Sequence, residues 1–174
     1  GWKNLIAFSF GFKNKKLPDV TDYQKKKFAQ PAAENEALIT LFPLPAPHNH
    51  AWYYSWLDIP QFSFLKSRKV YQETLFNQRV ETILKNIETY KPEVVVMFGM
   101  NAIISLKQSV LDCFPGATFK TAKGVKLHTP QFHLADLGKT KLIITTQVPT
   151  LRHNRIETGY DWYAFGKQVS GSND

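Results

Sequence analysis

Five consecutive apolar residues, Val94-Val95-Val96-Met97-Phe98, stand between Pro92 and Gly99. A run of that length without polar interruption suits a strand covered on both faces, and it falls far short of the roughly 18 apolar residues that a membrane-spanning helix needs. Such a strand requires a layer on each side, and the flanking sequence supplies them. Before it, Phe76, Val80, Ile83, Leu84 and Ile87 recur at helical spacing, with Glu81 and Lys85 placed for an i,i+4 pair on the wet side. Pro92 is expected to close that helix. After it, Gly99 permits a tight turn, and Ile103, Leu106, Val110 and Phe114 give a second helix its buried stripe up to Pro115-Gly116. Cys113 falls on the inner side of that helix and reads as a buried thiol.

Other elements follow the same alternation. Leu5, Ile6, Phe8, Phe10 and Phe12 mix helical and alternating spacings that suit a short helix or a strand, with helix preferred, and Asp19 to Phe28 reads as a helix that exposes Lys25-Lys26-Lys27 and ends at Pro31. Glu36 to Phe42 reads as a buried strand stopped by Pro43, Pro45 and Pro47. Gln131 to Leu137 and Lys141 to Thr146 are strand candidates, and Ile156 to Val169 a closing helix. The pattern predicts an α/β fold with a mainly parallel central sheet flanked by helices. A length of 174 residues suits one domain, 1–169, followed by a disordered polar tail, 170–174.

Lys and Arg outnumber Asp and Glu by 22 to 14, a formal charge of +8 that attracts polyanions, so DNA is the first partner to expect and no membrane association is read. A single cysteine makes neither an internal disulfide nor a thiolate cluster, which suits the reducing cytoplasm. Phosphate-loop, dinucleotide and serine-esterase glycine motifs are missing, and His48-x-His50 lacks the further ligands of a zinc pattern. No cofactor or metal is expected.

In parallel α/β sheets, ligands lie beyond the carboxyl ends of the strands, which selects three segments. Pro43 to Trp56 offers Pro43, Pro45, His48, His50, Trp52 and Tyr53 as walls for a flat ligand, or alternatively forms an aromatic loop that covers core. Gly99 to Ala102 adds Gly99 and Asn101. Gln147 to Arg155 carries Gln147, Thr150, Arg152, His153, Asn154 and Arg155, side chains that grip phosphates, or else makes a solvated charged loop.

Three segments also carry a likeness. Lys91-Pro92-Glu93-Val94-Val95-Val96-Met97-Phe98-Gly99-Met100-Asn101-Ala102 resembles the K-P-x-V-V-V-x-x-G-x-x-A segment of the uracil-DNA glycosylase superfamily. Leu38 to Pro45 precedes it and Ile143 to Thr150 follows it in the order that family shows. Pro43-Leu44-Pro45-Ala46-Pro47, Trp52-Tyr53-Tyr54 and Arg79 resemble a divergent branch. The likeness implies a glycosylase-like fold that takes a base out of the DNA stack and hydrolyses the base-deoxyribose bond without a metal. It also implies that the chain starts after the family's first strand and catalytic loop, which a preceding segment or a protein partner would have to supply. Where the family commonly shows His-Pro-Ser, this chain has Val148-Pro149-Thr150, and valine has no side-chain donor, so the likeness assigns no catalytic residue. Two functions stay open: DNA or nucleobase binding with hydrolysis, and a catalytically inactive interaction module on the same fold.

Overall fold

The computed structural model describes residues 2–48, 50–122, 132–146 and 160–171. Helix α1 spans Lys3–Phe12 and α2 Val20–Lys26, and two short 3-10 turns follow at Tyr53–Trp56 and Pro60–Lys66. Then come α3 (Arg68–Tyr90), β1 (Val94–Met97), α4 (Ile103–Cys113), β2 (Phe119–Ala122), β3 (Phe132–Leu137), β4 (Thr140–Thr145) and α5 (Trp162–Ser170). The sheet order is β1-β4-β3-β2.

Alternation along each strand sorts its side chains into two cores. Val95, Met97, Ala135, Leu137, Leu142 and Ile144 face α3 and α4, which contribute Val80, Leu84, Ile87, Leu106 and Val110. Val94, Val96, Phe132, Leu134 and Ile143 face the other way, against Phe8 of α1 and Trp162 and Phe165 of α5. The result is a sheet between two helical layers, as the helix-strand alternation implies. The Val94–Met97 run does carry packing on both faces, yet every residue of it is half-buried because β1 is an edge strand.

The second layer is closed backbone to backbone. A Cβ on Gly11 of α1 would strike the Tyr163 carbonyl, and one on Gly166 of α5 would strike the Phe8 carbonyl. Only glycine permits that approach. Phe132 and Phe165 stack with centroids 4.3 Å apart, and the Tyr163 hydroxyl donates to Lys15 O (2.9 Å) across 148 residues of sequence.

Several expectations need correction. The sheet is mixed: β1 and β4 are parallel, but β4 pairs antiparallel with β3, and β3 with β2. The cause is the turn at Gly138-Lys139, where Leu137 faces Thr140 and Gly138 has φ +73°. A two-residue connection makes a hairpin, whereas parallel neighbours need a long crossover. The Glu36–Phe42 strand does not form. Leu38 is 39% and Ile39 59% exposed, and the carbonyls of Thr40 and Leu41 accept from Arg79 instead of from a neighbouring strand. Pro31 does not end α2, which stops at Lys26 before Ala29 enters the left-handed region (φ +48°). Left-handed Lys91 caps α3 ahead of Pro92. Helix α5 is described from Trp162, with Asp161 accepting from Ala164 N at its N-cap, and Ile156 to Gly159 lie outside the described residues. Ser170 belongs to that helix rather than to the tail.

Candidate functional site

The parallel pairing of β1 and β4 sets their carboxyl ends side by side, Met97 opposite Ile144. Gly99, at φ +67°, turns the chain so that Met100 N donates to Thr145 O (3.2 Å). The turn after β1 is thereby fastened to the end of β4, and exposed Asn101 sits on it. Trp2 joins from α1's leading end, its ring 5.5 Å from that of Phe98. The Gly99–Ala102 segment therefore starts beside the end of β4. The Gln147–Arg155 segment, with Gln147, Thr150, Arg152, His153, Asn154 and Arg155, lies outside the described residues.

The Pro43–Trp56 segment is held elsewhere, along the N-terminal half of α3. Arg68, Tyr71 and Arg79 fall within about 80° of each other at 100° per residue, so one helix face can grip one extended segment. Arg79 donates to the carbonyls of Leu41 and Thr40, and the Tyr71 hydroxyl accepts from Leu44 N (each 3.0 Å). Arg68 donates to the carbonyls of His48 (2.9 Å) and Ala51 (3.0 Å), with its guanidinium 5.8 Å from the Trp52 ring centroid. Ser67 caps this end of the helix by accepting from Val70 N. Leu41 packs against the same apolar cluster as Met97 and Met100, so the segment reaches the sheet through the α3/α4 core.

The aromatic residues divide into two sets. Trp52 is half-buried: its indole donates to Leu65 O (2.6 Å), and its ring lies 4.8 Å from Tyr54 and 5.0 Å from Tyr71. Tyr54 donates to Pro45 O. These rings fill a small core, which is the alternative reading of the segment. Tyr53 and Trp56 differ. They sit on the first 3-10 turn, 53% and 80% exposed, with ring centroids 5.5 Å apart. Exposed Leu57, Ile59 and Phe62 continue the apolar surface. Pro43, Pro45, His48 and His50 are exposed as well, with His48 Nδ1 accepting from His50 N at 3.3 Å. Among the described residues no cluster of three or more metal-ligating side chains occurs.

Trp56, the last of the four large aromatics in the Pro43–Trp56 segment, stands at an offset of three from Tyr53, which puts both on one side of a 3-10 turn. Cys113 is half-buried, and burial raises its thiol pKa, which disfavours the nucleophilic thiolate. Comparison with protein-family models, with curated proteins and with solved structures found no match to this chain.

Proposed function

We propose that this chain is a nucleic-acid-binding domain on a glycosylase-like α/β scaffold, which receives an unpaired base at the Tyr53–Trp56 turn and holds DNA by its phosphates. The observation that carries the reading is the exposed Tyr53–Trp56 pair, beside Trp52, whose indole donates to Leu65 O and whose ring packs against Tyr71 of α3. Aromatic faces presented to solvent on a chain of charge +8 suit stacking against bases beside a polyanionic backbone. The sequence likeness to uracil-DNA glycosylases gives the same class of ligand and adds hydrolysis of the base-deoxyribose bond as the reaction to test. That reaction needs a positioned water and a donor for the departing base.

Binding is tested by fluorescence anisotropy with single- and double-stranded oligonucleotides. Replacing both rings, Tyr53→Ala with Trp56→Ala, is expected to weaken single-strand binding by about 1–3 kcal/mol for each base that loses its platform. Unchanged affinity overturns the reading. Uracil-containing DNA followed by alkali separates the two functions: abasic sites identify a glycosylase, and tight binding without strand breaks identifies the inactive interaction module.

A further inference from the structure

The ends of α1 and α2 enclose a cleft of about 480 Å³ that the site above does not use. Left-handed Asn14 (φ +52°) turns the chain at the end of α1, and left-handed Ala29 does the same after α2. These reversals put Lys13 and Lys15 on one rim and Lys26 and Lys27 on the other. Phe10 and Tyr23 line the cleft between them, meeting edge to face at 5.1 Å. Two acidic residues also line it. Glu36 is engaged, accepting from the Tyr23 hydroxyl (3.0 Å) and from Ala29 N (3.3 Å), while Glu34 is exposed. Asp22 pairs with Lys26 at 2.6 Å. Lys13, Lys15 and Lys27 have no carboxylate partner among the described residues.

We infer that this cleft is a second contact for the phosphodiester backbone of a nucleic acid, an inference that rests on the function proposed above. Lysine meets phosphate as a mobile point charge without the fixed fork of arginine, so a rim of lysines gathered where two helices end grips successive phosphates without reading sequence. The groups facing the cleft leave a surplus of positive charge even with Glu34 and Glu36 counted. The ends of two helices would otherwise present carbonyl dipoles that repel an anion, but the last turn of α1 is already bonded: Lys13 N donates to Ser9 O, Asn14 N to Gly11 O and Lys15 N to Phe10 O.

The test measures affinity for a short single-stranded oligonucleotide against salt concentration, in the full chain and in the triple variant Lys13→Gln, Lys15→Gln, Lys27→Gln. Each phosphate neutralised on a single strand contributes about 0.7 to the slope of log affinity against log salt, so the triple variant is expected to lose about 2 from the slope and roughly tenfold or more in low-salt affinity. The corresponding Lys→Arg triple variant is expected to keep the slope, which separates loss of charge from loss of fold. If the unaltered chain binds while the glutamine variant matches it in affinity and slope, the cleft assignment is overturned and the DNA-binding reading stands. If the unaltered chain binds no oligonucleotide, both are overturned. The Tyr53→Ala, Trp56→Ala variant, by contrast, is expected to lose affinity at constant slope.

Discussion

Helices α1 and α5 meet through bare backbone, with Gly11 and Gly166 pressed against carbonyls of the opposite helix, whereas residues 38–57 are held to α3 by a few long side chains. The first region buries Phe8, Phe132, Trp162 and Phe165. The second leaves Ile39, Tyr53, Trp56 and Leu57 in solvent. Close packing fixes a layer and leaves nothing over to bind with. Tethering by Arg68, Tyr71 and Arg79 fixes the path of a segment while its apolar side chains stay available. Exposed apolar surface acquires meaning when it gathers in this way rather than being scattered singly.

The difference can be broken most severely from the packed side. Gly166→Ala is expected to drive α1 and α5 apart and to cost about 2–3 kcal/mol, the upper range for overpacking, read as a fall in thermal midpoint of roughly 6–10 °C. Gly11→Ala should behave alike. On the tethered side, Arg79→Met removes two hydrogen bonds to Thr40 and Leu41, with an expected cost of about 1–2 kcal/mol. Its signature is local: limited proteolysis near residues 38–44 should accelerate while exchange in α1 and α5 stays protected. Equal loss of protection in both regions would show that they are not independent.

Alkaline titration sharpens the contrast further. Tyr160 packs against Phe132 and Phe165, and burial, then the charge of Asp161, pushes its phenol up to about 12. Its folded pKa therefore lies above the ordinary value near 10. The stability it contributes is full below pH 10 and is lost as pH rises toward 12. Tyr160→Phe should flatten the decline in thermal midpoint over that window. The smallest effect on stability is expected from Tyr53→Ala with Trp56→Ala, within about 0.5 kcal/mol by chemical denaturation, since exposed rings support little. A larger loss would move these rings into the structural set with Trp52.

Helical periodicity makes α3 and α4 legible, and apolar runs do so for β1 and β4, whereas the spacings of Leu5 to Phe12 suit helix and strand alike and settle as α1 only through packing on α5. Glu36–Phe42 shows the limit of the method. Its residues would suit a buried strand, but nothing in a run of apolar residues says whether a partner strand is present, and here Arg79 takes the carbonyls instead. Strand β2, Phe119-Lys120-Thr121-Ala122, is short and half polar and gave no signal. The Gly138-Lys139 pair between two strand candidates is itself a hairpin signal, so the antiparallel half of the sheet is legible in the sequence. Of the candidate site, the aromatic richness of 52–56 was plain, but which rings face solvent depends on Leu65 and Tyr71, which lie beyond that segment. The lysine cleft was hidden for a similar reason. Lys25-Lys26-Lys27 reads as a solvated face until Lys13 and Lys15 arrive from another helix.

The union of α1 with α5 also governs when this domain can form. Lys15 and Tyr163 are separated by 148 residues, so α1 cannot settle against α5 until the whole stretch between them has been made. Until then the phenylalanine-bearing side of the sheet stays wet, and ring closure over so long a loop is slow compared with hairpin or helix formation. A nascent chain of this design is most exposed during that wait, and protection by a chaperone would matter most then.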